Sequence, residues 1–119
     1  MVETEVGTTN EVRLWGRLAT DAQTRELPSG DELVIGRLIV PRSQVRALPS
    51  GRRSPSVDVV DLVAWAGRPR RSMAGWREGD EVRVVGALRR RFYRAGGVTS
   101  SRVEVEVSSG KVVRRARTG

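Results

Sequence analysis

The chain has 119 residues, 38% of them hydrophobic and five aromatic, enough for one small domain with a modest core. Its 22 basic residues against 14 acidic ones give a net charge of +8, which points to a polyanionic partner, nucleic acid before an anionic membrane surface. There is no Cys and no His, which excludes disulfide frameworks, zinc fingers, thiol nucleophiles and histidine acid–base chemistry, and no apolar run approaches the roughly 18 residues of a transmembrane helix.

Residues 1–9 carry Glu3, Glu5 and several Thr without apolar periodicity and read as a disordered lead-in. This acidic, polar start is unlike a signal peptide, so a cytoplasmic, nucleoid-associated protein is expected. From Glu11 to Leu18 the chain alternates: Val12, Leu14, Gly16 and Leu18 on one face, Arg13, Trp15 and Arg17 on the other, the period of a strand. Leu27-Pro28-Ser29-Gly30-Asp31 is turn chemistry. A second strand runs from Leu33 to Val40, apolar on both faces except at Arg37, with Pro41 at its end.

Arg42 to Ser56 holds Arg42, Arg46, Arg52 and Arg53, no acid, and two Pro-containing turns, and reads as a long, basic, mobile loop. A third strand spans Val57 to Ala66. Pro69 and Gly79 bracket a short helix over Arg68–Arg77, on which Met73 and Trp76 would point inward together. A fourth strand runs from Glu81 to Arg91, Arg94-Ala95-Gly96-Gly97 forms a hairpin tip, and Val103, Val105 and Val107 alternate with charged residues in a fifth strand. Lys111, Arg114, Arg115 and Arg117 make a basic tail. The domain therefore spans 10–108, with the tail at 109–119. Five strands with a helix between the third and fourth predict an all-β, five-stranded OB-fold barrel, an architecture that binds oligonucleotides across its second and third strands and the adjoining loops.

The basic residues cluster on those loops. All but Lys111 are arginine, the better fork for phosphate and the better plate for stacking on bases. Phe92 and Tyr93 follow Arg89-Arg90-Arg91 directly and precede Arg94, so rings and guanidiniums share one hairpin, a pairing suited to base stacking with phosphate contact. Neighbours on a strand face opposite ways, so only one of the two rings is expected to be free. Trp65 ends the third strand, where such a barrel presents its binding face, whereas Trp76 reads as core. Trp15, between Arg13 and Arg17 on the polar face of the first strand, reads as a subunit contact, since an exposed indole is an apolar liability. Asp58 and Asp61 face opposite ways, and Glu78, Asp80 and Glu81 share a turn. No carboxylate pair has the metal or acid–base neighbours of a nuclease, so no enzyme activity, metal or cofactor is expected.

The segments Asn10-Glu11-Val12-Arg13-Leu14-Trp15-Gly16-Arg17-Leu18, Asp21 and Arg25 with Pro28-Ser29-Gly30, Leu38-Ile39-Val40-Pro41-Arg42, Val63-Ala64-Trp65 and Arg77 through Tyr93, in this order and spacing, resemble the bacterial single-stranded DNA-binding protein family over about residues 10–107. The resemblance implies an OB-fold that self-associates, as a homotetramer or a dimer, and holds single-stranded DNA. It places Trp65 and Tyr93 where the family stacks bases and Arg89 and Arg91 where it holds phosphates. It also pairs the first strand with its copy, consistent with Trp15 and Arg13 at an interface. Val45 and Val59 stand where the family commonly carries two further aromatics, and Asp61 where many members carry a base. The chain ends Val-Val-Arg-Arg-Ala-Arg-Thr-Gly, so partner recruitment through the family's acidic tail is not expected. The candidate nucleic-acid contacts are thus Trp65, Phe92, Tyr93, Arg89, Arg91, Arg94, Arg42, Arg46, Arg52 and Arg53. The alternative is a primosome-like accessory, a protein-interaction module on the same fold with weak nucleic-acid binding.

Overall fold

The computed structural model describes residues 7–117; most of the lead-in, 1–6, and the last two residues lie outside them. Seven elements follow in order: β1 (Val12–Leu18), β2 (Gln23–Glu26), β3 (Glu32–Pro41), β4 (Val57–Ala64), α1 (Gly67–Ala74), β5 (Glu81–Ala95) and β6 (Val98–Arg114). β1 pairs with β5, β5 with β6, β6 with β4, β4 with β3, and β3 returns to β1 through Arg17–Ile39 and Leu18–Leu38. This ring of five strands is a closed barrel, sealed between β1 and β3 at Arg17 and Leu18 alone. The β4–β6 pairing is parallel, at Leu62–Val105 and Val63–Glu106; the other pairings are antiparallel.

Alternation decides what fills the barrel. Val34 and Leu38 of β3, Leu62 and Ala64 of β4, Val82 and Val84 of β5, and Val105 and Val107 of β6 point inward with Leu18 and form one buried cluster. Met73 and Trp76 complete it from the helix side. Trp76 is buried as expected but lies past the end of the helix, which stops at Ala74 rather than reaching Arg77; a turn donating the Trp76 N–H to the Met73 carbonyl carries it inward. Two glycines let strands cross closely. A β-carbon on Gly16 would lie 2.2 Å from the Ile39 carbonyl oxygen, and one on Gly86 2.1 Å from that of Glu106.

Three further features depart from the sequence reading. β2 is a sixth strand: its four residues are all exposed, so it carries no hydrophobic period, and backbone pairing with Leu33–Ile35 and Glu32 alone defines it. β6 continues to Arg114, through six residues read as tail, pairing with β5 back to Glu81. Gly110, which looks like a break, lies directly under the Trp76 ring, where any side chain would collide. The 42–56 segment is also paired. The Arg42 N–H donates to the Ser56 carbonyl, Ser54 to Arg46 and Leu48 to Arg52, so the β3–β4 hairpin continues outward as an arm.

The C-terminal strand is latched at its far end. Asp80, 1% exposed, accepts from the backbone N–H of Arg77 at 2.9 Å, the N–H of Ala116 at 2.8 Å and the Arg115 guanidinium at 2.8 Å. Burial pushes its pKa up. The Ala116 and Arg77 hydrogen bonds, then that of Arg115 and its charge, outweigh burial and hold the carboxyl below its usual value.

Candidate nucleic-acid interface

The outer face of β3 and β4 is the opposite parity to the core: Ile35, Arg37 and Ile39 lie across from Val63, Asp61 and Val59. Two walls rise beside it. The β1–β2 turn with β2 supplies Thr20, Asp21, Gln23 and Arg25, and the β5–β6 hairpin supplies Arg91, Arg102 and Glu104. Between them runs an open groove of about 450 Å³. Four arginines line it against three carboxylates. Arg37 is paired with Asp61 at 3.4 Å, and Arg91 lies 3.3 Å from Glu104. The Arg91–Glu104 contact is one of charge only, because the buried Arg91 Nε has no hydrogen-bond partner. Arg25 and Arg102 have no carboxylate within 4 Å among the described residues.

Length explains the reach of the hairpin: β5 and β6 stay paired to Ala95–Val98, well beyond the barrel rim at Leu62–Val105. Because β4 and β6 run parallel there, the hairpin and the 42–56 arm leave the barrel at the same end. Arg89, Arg91 and Tyr93 share the groove side of the hairpin with Glu104 and Arg102, and Phe92 lies on the other. Both rings are open to solvent, Tyr93 41% and Phe92 67% exposed, which corrects the expectation that one would pack beneath the hairpin. The strands project too far to have anything beneath them.

Diagonal neighbours across the ladders give some arginines partners. Arg89 reaches Glu106 at 3.4 Å, and Arg42 forks onto Asp58 with its shortest contact at 2.8 Å. The Asp58 hydrogen bond, and then its charge, hold the Arg42 guanidinium above its usual pKa. Arg46, Arg52 and Arg53 on the arm and Arg94 at the hairpin tip carry no such partner among the described residues. Trp65 is half-buried just past β4, on the groove face by alternation, but does not line the groove itself. Val59, 52% exposed, and Val45, 36%, leave the rest of this side aliphatic.

Arg25, Arg37 and Arg102 are not among the contacts read from the sequence, although the fold sets them in the groove. Arg37 carries a signal as the one charge in an otherwise apolar strand, and Arg25 as part of the first-turn resemblance; Arg102 carries none. Away from the groove, Trp15 stands 51% exposed on the outer face of β1. Its indole N–H donates to Glu81 at 2.7 Å, and the Arg83 guanidinium lies 3.9 Å from its ring centre, a cation–π contact. Arg13 is beside it, ion-paired with Glu11. β1 pairs with β3 only at Arg17 and Leu18, so its edge is open from Val12 to Gly16. Among the described residues no helix is long and apolar enough to cross a membrane.

A closed five-stranded barrel with a helix between β4 and β5, a groove across its β3–β4 face and two projecting hairpins defines an oligonucleotide-binding fold. The chain belongs to the single-strand binding protein family, whose model matches residues 9–113. Among solved structures it is similar to the Plasmodium falciparum SSB complex with ssDNA, with a TM-score of 0.69 at 16% identity, covering 95% of this chain and 100% of that one. At that identity the likeness is one of fold. A search of curated proteins finds no match.

Proposed function

We propose that this chain binds single-stranded DNA without regard to sequence, as a non-enzymatic component of replication, recombination or repair. The carrying observation is the groove between the β1–β2 segment and the β5–β6 hairpin, with Arg25 and Arg102 in it, unpaired among the described residues, and Tyr93 exposed on the same side of the hairpin. A single strand laid along it meets guanidiniums at its phosphates and the Tyr93 ring at a base, with Trp65, half-buried just past β4, as a second stacking platform. No donor pattern there is dedicated to one base, so binding is sequence-tolerant. Arg46, Arg52 and Arg53 extend the positive track along the arm. Arg89, Arg91 and Arg42 contribute less than their number suggests, because each must leave a carboxylate to meet a phosphate.

Self-association follows from β1. Its open edge can pair with the same edge of a second copy, and Trp15 with Arg13 beside that edge would be covered, giving a dimer from which a tetramer is built. A second reading, a protein-interaction module of the primosome-accessory kind, is favoured by the exposed Val45 and Val59 and by the ion pairs that already neutralise Arg42, Arg89 and Arg91.

Titration with oligo-dT, followed by tryptophan fluorescence in the wild type and in Trp65→Phe and Tyr93→Ala variants, separates the two. A DNA-binding groove predicts quenching that shrinks in Trp65→Phe and weakens by about 1–3 kcal/mol in Tyr93→Ala, with assembly unchanged. Equal weak binding of all three proteins would support the interaction module instead.

A further inference from the structure

We propose that the face of the β5–β6 hairpin turned away from the groove is a second track for single-stranded DNA, with Phe92 its stacking platform and Arg90 and Arg94 its phosphate contacts. The inference rests on the single-strand reading above and adds where the strand goes after the groove. Alternation puts Leu88, Arg90, Phe92 and Arg94 on this face, across from Val105, Val103, Ser101 and Thr99. No acidic residue is among them. On the groove side of the same hairpin Arg89 and Arg91 meet Glu106 and Glu104 diagonally across the ladder, and Arg102 alone lacks a carboxylate among the described residues. One hairpin therefore carries mostly neutralised arginines on one side and, among the described residues, arginines without a carboxylate on the other.

The apolar surface of that face is continuous. Phe92 is 67% exposed, and Leu88 and Val103, diagonal neighbours across the ladder, are 50% and 45% exposed. The Arg90 guanidinium donates to Ser101 Oγ at 3.2 Å, and Ser101 is the cross-strand partner of Phe92, so the cation is held beside the ring. A phenyl ring flanked by aliphatic groups and two cations fits a base between two phosphates. A second copy of this chain fits it less well. A two-fold contact would set the same patch on itself and bring four guanidiniums together. A two-stranded ribbon is thin, so a strand leaving the groove past Tyr93 can turn over its edge and meet Phe92.

The test uses the full chain and oligo-dT of about 5 and about 15 nucleotides, the span of site sizes for one such barrel. Phe92→Ala should leave the short strand unaffected and weaken the long one about five- to hundredfold. The double variant Arg90→Ala, Arg94→Ala should flatten the slope of log affinity against log salt by about 1.4 for the long strand, at about 0.7 per phosphate contact. Tyr93→Ala should weaken both lengths. Wild-type affinity of Phe92→Ala for the long strand, with Tyr93→Ala impaired, would overturn the second track and leave the groove reading standing. Failure of the wild type to bind either length would overturn both. A lower oligomeric order of Phe92→Ala in sedimentation, with unchanged long-strand binding, would show a contact between copies and overturn the proposal. The ring is mostly solvated, so an unaltered thermal melt is expected as the control for folding.

Discussion

Replacing Asp80 by Asn keeps the size and shape of a buried side chain and removes one acceptor. The carboxylate serves three donors: Oδ2 accepts from the Arg77 N–H and Arg115, and Oδ1 from the Ala116 N–H. An amide offers a single oxygen. Whichever way it is turned, its NH₂ points at a backbone N–H. One buried donor left unmatched costs about 1–3 kcal/mol, and loss of the charge on the remaining bonds costs about 1–2 kcal/mol more. The expected loss is about 2–5 kcal/mol. That corresponds to a melting temperature lower by about 8–20 °C. Urea unfolding at fixed protein concentration measures it directly.

The pH dependence gives a second check. The folded-state pKa of Asp80 lies below the unfolded one, so its contribution is present above the unfolded value, near 3.9, and is lost as pH falls through the folded value. The gap between wild type and Asp80→Asn should therefore narrow as the pH falls below the unfolded value and through the folded one. Arg115→Ala should cost much less, about 1 kcal/mol or below, because that side chain is 63% exposed and screened by water. An Asn variant within about 1 kcal/mol of wild type at neutral pH, or a gap that does not change on acidification, would refute the latch.

Gly86→Ala should be destabilised by about 3 kcal/mol or more in the same unfolding assay, because its new β-carbon meets the Glu106 carbonyl at 2.1 Å, backbone that cannot rotate away. Asn10→Ala removes a side chain that bonds both the Leu88 N–H and carbonyl at 2.8 Å. A loss of about 1 kcal/mol and faster hydrogen exchange at Leu88 are expected. Trp15→Ala should lower the oligomeric order seen in sedimentation while circular dichroism stays that of the wild type; unchanged association would remove β1 from the interface.

The barrel strands were legible wherever one face is buried, because burial imposes the two-residue period: Val82, Val84 and Leu88 announce β5 as Val12 and Leu14 announce β1. β2 was not, since all four of its residues face water and its pairing is a property of the backbone. The end of β6 was hidden by Ser108-Ser109-Gly110, where Ser108 falls at a bulge and Gly110 makes room for Trp76. The candidate site was legible in kind but not in arrangement. Arg89, Arg91 and Arg42 stand out in the sequence as free charges, and only the register shows Glu106, Glu104 and Asp58 opposite or beside them. Arg25 and Arg102, far apart in the chain, become neighbours of one groove only through closure of the barrel.

The most direct measurement is the affinity of the full chain for a fluorescein-labelled single strand, by anisotropy, against the same sequence as a duplex and a second strand of different sequence. Tight binding of both single strands, weak binding of the duplex, and affinity that falls with salt by about 0.7 per neutralised phosphate are expected. Equal affinity for single strand and duplex, seen only at low salt, would contradict a groove that stacks bases and would reduce the arginines to a general positive charge.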